Sequence, residues 1–306
     1  MYFLSEEERR LVLRKLLPQA RAEGVSEELR GWRWSEPPLA PIYDTRLGVY
    51  EVAGQYCQSG RDLYLRRVLG VKEPPNRAML DGSALHALVA AMLTATKRAI
   101  YAAPEVGIGD IDGGGCLTAL ETSLAEANFA VLHDDNTELA EKARLLYRYE
   151  YRRIVERVEG VLAQQPHIGA DALAALSLPV VVEQRLNGAL LGLSGHLSAD
   201  AFTFAEPMVV DIKFGKHEDF HRLSTTGYAL VMESIYEYPI NLGCIVYPSF
   251  YRGRLTIERD FHIIGDELRQ RFIDDRDTRA RLVEEEIDPR LPAVCYEGCP
   301  FWRHCH

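Results

Sequence analysis

Lysine is scarce in this chain. Six of its 35 basic side chains are Lys, at positions 15, 72, 97, 142, 213 and 216, and the other 29 are Arg. Positive charge is therefore ordinarily supplied by Arg. A Lys in an apolar setting marks a place that wants a compact ammonium whose pKa can move on burial. Asn and Gln are also few, 12 together, a bias shared with heat-adapted proteins. No uninterrupted apolar run is long enough to cross a bilayer, so no transmembrane helix is predicted. The opening MYFLSEEERRLVLRKLL is too charged for a secretion signal, and the expectation is a cytoplasmic protein without membrane attachment. A net charge of −10 argues against a nucleic-acid coat protein and against membrane adhesion, while leaving room for a local basic groove.

The chain has 306 residues, 47% hydrophobic and 26% charged, which suits one large globular domain or two tightly joined ones. Residues 1–176 read as largely helical, 177–286 as a mixed strand-and-helix core and 287–306 as an irregular tail. Ser5 and Glu8 form a capping-box pattern opening a helix to about Leu17, which Pro18 and Gly24 should end. Residues 31–48 are rich in Pro and aromatics and read as an ordered surface loop. Arg61, Tyr64, Arg66 and Arg67 fall on a short helix, either as a solvated face or as phosphate contacts. Residues 81–101 are a strong helix carrying His86. The Gly-rich run 106–115 has no preceding strand and no Gly-Lys-Ser/Thr end, so it reads as a loop rather than a phosphate cradle. Two more helices are predicted over 116–133 and 137–165. The second interleaves Arg144, Arg148, Arg152, Arg153 and Arg157 with Tyr147, Tyr149 and Tyr151. That is a nucleic-acid stripe, or an amphipathic helix balanced by Glu141, Glu150, Glu156 and Glu159.

From Leu178 the pattern changes to strands. LPVVVEQRLNGALLGL predicts a hairpin turning at Asn187-Gly188. A strand to Phe204 and a turn at Glu206-Pro207 follow. Next come a strand over 208–214, a helix over 220–236, strands over 241–247 and 254–261, and a helix over 265–286. The stretch from Gly195 to Tyr228 carries the chemistry. Asp200 and Asp211 can meet at one end of neighbouring strands. Asp211 and Lys213, two apart on a strand, share a face among Val209, Val210, Ile212 and Phe214. Two carboxylates and an ammonium in so apolar a place need partners. A strand-end ion pair supplies them in part; a divalent metal and a phosphate would supply the rest.

Cys295, Cys299 and Cys305 crowd the last twelve residues. Clustered Cys outside an oxidising compartment points to metal rather than to disulfides. Three thiolates need a fourth ligand, for which Cys57, Cys116, Cys244, His304 and His306 are available. Cys244 and Cys116 read as ordinary buried cysteines. Zinc and iron–sulfur both accept thiolates.

His86, then Gly-x-x-x-Asp200, then Asp211-Ile-Lys213, then a helix with Tyr228 resembles the RecB-like branch of the PD-(D/E)xK nucleases. Cys57 with three C-terminal cysteines resembles the branch with an iron–sulfur staple, and most of all the archaeal type of the CRISPR-associated Cas-four nucleases. QYCQSGRDLYLRRV is similar to that family's first-cysteine region, and the resemblance covers residues 50–306. It implies an α/β fold with a RecB-like nuclease core, a central mixed sheet flanked by helices. It implies Mn²⁺ or Mg²⁺ on His86, Asp200, Asp211 and the Ile212 carbonyl, with Asp200, Asp211, Lys213 and Tyr228 as catalytic residues. It implies a four-iron or two-iron iron–sulfur cluster on Cys57, Cys295, Cys299 and Cys305. The implied activity is exonucleolytic cleavage of single-stranded DNA, 5′ to 3′. The implied role is spacer-precursor processing in CRISPR adaptation, with CRISPR integration proteins as partners and oligomerisation left open. The alternatives are a non-catalytic DNA-binding scaffold of the integration complex and a zinc-stapled binding protein. Three positions depart from the family pattern: Asp211 stands where Glu is commoner, Ser224 where Gln is usual, and the tail has C-x3-C where C-x2-C is commoner.

Overall fold

The computed structural model describes residues 1–102, 137–295 and 298–306. The expected Gly-rich loop at 106–115, the helix at 116–133 and Cys116 lie outside the described residues.

Five strands form one mixed sheet in chain order: β1 (Val181–Leu186), β2 (Leu197–Thr203), β3 (Met208–Ile212), β4 (Leu242–Tyr251) and β5 (Arg254–Ile263). Only β3 and β4 pair in parallel, and the other neighbours are antiparallel. Helices cover both faces, so the expectation of a mixed sheet flanked by helices holds at that level. Both faces of β3 are buried, which is why its sequence is an apolar run without alternation. Met208, Val210 and Ile212 enter one core, and Val209 enters the other.

The helices of the N-terminal part are α1 (Glu6–Leu11), α2 (Leu17–Glu23), α3 (Val49–Ala53), α4 (Arg61–Arg67), α5 (Arg77–Ala102), α6 (Thr137–Gln164) and α7 (Ala170–Ser177). The first core lies beneath α2, α5, α6 and α7, whereas Val49, Val52 and Ala53 of α3 and Leu63 of α4 enter the second. Helices α5, α6 and α7 pack together over the first core. Helix α5 is long and apolar enough, by length and composition, to span a bilayer. Its Leu85, Leu88, Val89, Met92 and Leu93 are buried in the first core, as in the central helix of a folded domain. The second core is closed by α3, by α8 (Arg222–Tyr236), which is the crossover between β3 and β4, and by α9 (Asp266–Glu284). A last turn of helix, α10 (Trp302–Cys305), ends the tail that was expected to be irregular.

Two expectations are corrected. Pro18 does not end the first helix. A π-helical segment, Val12–Leu16, links α1 to α2, and Pro18 occupies the first turn of α2, where its missing N–H leaves nothing unpaired. Gly24, at φ +69°, terminates it instead. Nor is Asn187-Gly188 a two-residue hairpin turn. Gly188 has φ −91°, and a short 3-10 helix, Ala189–Leu191, intervenes before β2. The Asn187 side chain accepts from the Ala189 N–H at 3.0 Å and starts that helix. A Cβ at Gly188 would come within 2.7 Å of Leu193, so the glycine is there for close packing.

Behind the sheet, α8 and α9 are joined by buried charge. Arg269 and Glu233 are both fully buried; Arg269 Nη1 donates to Glu233 at 2.7 Å and Nη2 at 2.9 Å. Arg30 Nη1 adds a bond to Glu233 at 3.0 Å, and the Gly31 N–H another at 2.9 Å. Every carboxylate oxygen is satisfied and the guanidinium also reaches the Ile264, Leu29 and Ile240 carbonyls. Removing one partner strands the others without water. Glu233→Ala should lower unfolding stability by about 3–5 kcal/mol, read as a fall in the urea midpoint. A midpoint within error of wild type would show that the network is replaceable.

Candidate functional site

Pairing register sets the site. In β2–β3 Ala201 faces Val210 and Phe202 faces Val209, so the next pair along is Asp200 with Asp211. Like charges opposite each other on adjacent strands repel, and both are withdrawn from water. Burial raises the Asp200 pKa and the Asp211 charge raises it further, while His86 works the other way. Burial would raise Asp211 too, but Lys213 and bonds from Asp200 and Ser224 hold its carboxyl well below the usual range. The two carboxyl groups therefore titrate as a pair, Asp200 pushed up and Asp211 held down.

His86 enters from α5. Its Nε2 stands 2.8 Å from Asp200 Oδ2, and that oxygen also accepts the Ile212 N–H at 3.0 Å. Burial disfavours the imidazolium, but the Asp200 bond and charge outweigh it and raise the His86 pKa. Donor atoms of His86, Asp200 and Asp211 all lie within 4.8 Å of one another. Lys213 Nζ lies 2.8 Å from Asp211 Oδ2, so the ion pair the strand pattern allows is present at the site's edge. Ser224, on the first turn of α8, donates its hydroxyl to Asp211. Tyr228, one turn further, is close enough to both carboxylates that their charges, after burial, raise its pKa.

The donor set suits a divalent cation. It offers two carboxylates that repel one another and one imidazole, with donor atoms within 4.8 Å of one another. A cation at that point would offset the repulsion.

Two residues at this site were not singled out from sequence. Glu183 lies between the Val182–Ala201 and Gln184–Ala199 pairs, in register with Asp200, yet its own pairing is interrupted. Its φ is +50°, and its side chain turns outward to accept from the Ser198 hydroxyl at 3.0 Å. A glutamate inside the apolar run VVVEQ was the available signal. Tyr2 Oη lies 2.9 Å from His86 Nδ1; no local pattern marks it, because its partner is 84 positions away.

The cysteines sort by place. Cys244 is buried in β4 beside Arg259, and burial pushes its thiol up to about 12. Cys57, Cys295, Cys299 and Cys305 are half-buried neighbours: beyond the effect of burial, Cys57 and Cys305 raise the Cys299 thiol, and Cys57 and Cys295 raise the Cys305 thiol. The tail docks on the Cys57 segment through Arg61 to Asp288 at 2.7 Å, Ser59 to the Arg290 carbonyl at 2.9 Å and Asn76 to the Gly298 carbonyl at 2.9 Å. His304 is taken by Glu73 at 2.6 Å, and the His306 ring lies on Trp302. Arg67 donates to the Arg46 carbonyl and Arg66 faces Glu51 at 3.5 Å, so the arginines of α4 are drawn into structure. The same holds for two arginines of α6. Arg153 bonds the Phe3 carbonyl and covers the Phe3 ring at 4.4 Å, and Arg157 pairs with Glu6.

Fold and site define a mixed α/β protein in which one imidazole and two carboxylates meet closely enough to hold a metal ion. The whole chain, residues 1–306, matches the family model described as CRISPR-associated exonuclease Csa1. A protein of Saccharolobus solfataricus carrying that name is 32% identical over 284 residues, 93% of each chain. One of Thermoproteus tenax with the same name is 30% identical over 296 residues, 97% of this chain and 96% of that protein. The chain belongs to the CRISPR-associated exonuclease Csa1 family. It is thus a CRISPR-associated nuclease, a phosphodiester hydrolase.

His221 lies beside the site, its Nδ1 3.0 Å from Tyr247 Oη and its Nε2 2.8 Å from Tyr56 Oη. Burial, then the Lys213 charge, lowers its pKa to about 4. A depressed imidazole pKa means the unfolded chain binds the proton first. The stabilisation is complete above the unfolded pKa of about 6.5 and is lost as pH falls towards 4. His221→Gln should therefore show a shallower fall in melting temperature between pH 7 and pH 4.5 than wild type. Parallel curves would place the titration elsewhere.

Proposed function

We propose that the protein is a metal-dependent DNA exonuclease built on a RecB-like PD-(D/E)xK core. It acts on single-stranded DNA from the 5′ end and trims spacer precursors for CRISPR integration proteins. The observation that carries this reading is the meeting of His86, Asp200 and Asp211 donors within 4.8 Å, next to Lys213. The order of these residues, and the exonuclease names of the relatives, agree with it. His86 Nε2, Asp200, Asp211 and the Ile212 carbonyl would hold Mn²⁺ or Mg²⁺. When bound, such an ion supplies Lewis acidity at a phosphoryl oxygen and acidifies a water. Asp211 holds Lys213 so that its ammonium can orient the attacking water and offset charge growing on the phosphate oxygens. Ser224 fixes the Asp211 carboxylate, and Tyr228 faces the cleft to position the DNA strand.

Cys57, Cys295, Cys299 and Cys305 are proposed to bind one iron–sulfur cluster with a structural role. Support comes from their mutual proximity and from the polar contacts that dock the tail on the Cys57 segment.

Asp200→Asn and Asp211→Asn should each cut Mn²⁺-dependent cleavage by more than the about 10–100-fold typical of an outer-sphere partner. Stability separates them. Asp200→Asn removes repulsion and should keep or raise the melting temperature, while Asp211→Asn leaves Lys213 without its carboxylate and should lower it. Wild-type cleavage by either variant overturns the site. Retained metal binding without cleavage in the wild type would favour the scaffold reading. For the cluster, Cys57→Ser should lose iron and melt lower, and Cys244→Ser should keep iron. Zinc in place of iron in the wild-type protein would overturn the cluster.

A further inference from the structure

The N-terminal arm reaches the site through one side chain. Met1, Tyr2, Phe3 and Leu4 are all buried, Met1 and Tyr2 completely. Helix α6 pins the arm: Glu150 takes the Met1 nitrogen, and Arg153 donates to the Phe3 carbonyl at 2.6 Å while its guanidinium covers the Phe3 ring. The Ser5–Glu8 capping box then starts α1, so the arm has a fixed length. Within it, Tyr2 Oη stands 2.9 Å from His86 Nδ1, on the side of the imidazole opposite Asp200. The His86 ring is held between two aromatics, Tyr2 with centroids 6.0 Å apart and Phe214 edge-on at 6.2 Å.

We infer that Tyr2 is a positioning residue of this site, holding His86 by Nδ1 so that Nε2 presents its lone pair beside Asp200 and Asp211. An imidazole has two inequivalent nitrogens, and the partner of one decides what the other can do. A histidine that gives Nε2 to a cation must carry its proton on Nδ1, and that proton needs an acceptor. A carboxylate would serve, but Asp200 and Asp211 already crowd one row of the sheet with negative charge. A phenol serves without adding charge. It also works in both states, because a hydroxyl donates or accepts. With Nε2–H bonded to Asp200, the phenol donates to Nδ1. With Nε2 given to a cation, Nδ1–H donates to the phenol oxygen. His86 can thus change tautomer without moving and without leaving a buried nitrogen unpaired.

This inference rests on the metal-site reading above, and the test separates the two. Mn²⁺ affinity is measured by calorimetry on wild type, Tyr2→Phe, His86→Ala, their double variant and Asp200→Ala. Imidazole nitrogen shifts are recorded on the metal-free wild type, Tyr2→Phe and Phe214→Leu, the last controlling for ring packing. Tyr2→Phe should stay folded with a melting temperature lowered only by the loss of one buried hydrogen bond, shift the His86 nitrogens where Phe214→Leu does not, and weaken Mn²⁺ binding about 10–100-fold. In the His86→Ala background the same change should cost nothing further, because the effect runs through the imidazole. Unshifted nitrogens, wild-type affinity, or an equal loss in the His86→Ala background would overturn the assignment to Tyr2. Equal Mn²⁺ affinity in wild type and Asp200→Ala would overturn the metal site instead, with the metal-free shifts still reporting on Tyr2.

Discussion

Two carboxylates facing each other across adjacent strands, in a place with little water, are the constraint that shapes this molecule. Asp200 and Asp211 share a register position in β2 and β3, and everything adjacent is compatible with that charge. Lys213 and the Ser224 hydroxyl lie on Asp211; the Ile212 N–H and His86 lie on Asp200. Glu183 shows the limit of tolerance. It would be a third carboxylate in the same row, and there the strand breaks its pairing, enters the left-handed region and turns the side chain out to Ser198. A local backbone cost of order 1–3 kcal/mol is smaller than that of burying a third like charge.

The excess of Arg over Lys follows from the same division of labour. Arg269 bonds one carboxylate and three carbonyls from a fully buried position. Arg276 reaches the Leu39, Leu191 and Pro38 carbonyls and so ties the ordered N-terminal loop to α9. A guanidinium offers five donors in a fixed fork and can close several irregular segments at once. A Lys at those positions would leave carbonyls unpaired. At position 213 the requirement differs, since one carboxylate is to be met and the charge must stay small and mobile.

How much of this was legible in sequence depends on how local each cause is. Asp211-Ile-Lys213 was legible because the two-residue repeat of a strand puts both side chains on one face without any further knowledge. The partnership with Asp200 was legible once the turn at Glu206-Pro207 was placed, because a short turn forces antiparallel register. The Asn187-Gly188 signal misled because Leu191 and Leu193 are buried, and packing overrode the local turn preference. Pro18 misled because a π segment can reset the helix to a new first turn. The Arg–Tyr stripe of α6 could not be interpreted alone; its Arg153 and Arg157 serve the N-terminal segment, and composition carries no trace of a partner 150 residues away. Tyr2 was illegible for the same reason.

Both ends of the chain return to one site by different routes. From the N-terminus, α6 holds the arm and the arm holds His86. From the tail, the docked cysteine segment leads to Tyr56, whose hydroxyl lies 2.8 Å from His221. The His221 carbonyl lies 2.7 Å from the Ser224 hydroxyl, which bonds Asp211. Each ligand of the candidate cation site is thereby backed by a segment distant in sequence. Such contacts form only when the whole chain has folded, because each must overcome the entropy of closing a long loop. The candidate site therefore depends on contacts that span the whole chain. A loosened tail would be felt at Asp211 through Tyr56 and His221, and a loosened arm at Asp200 through His86, although neither segment carries a group that reacts.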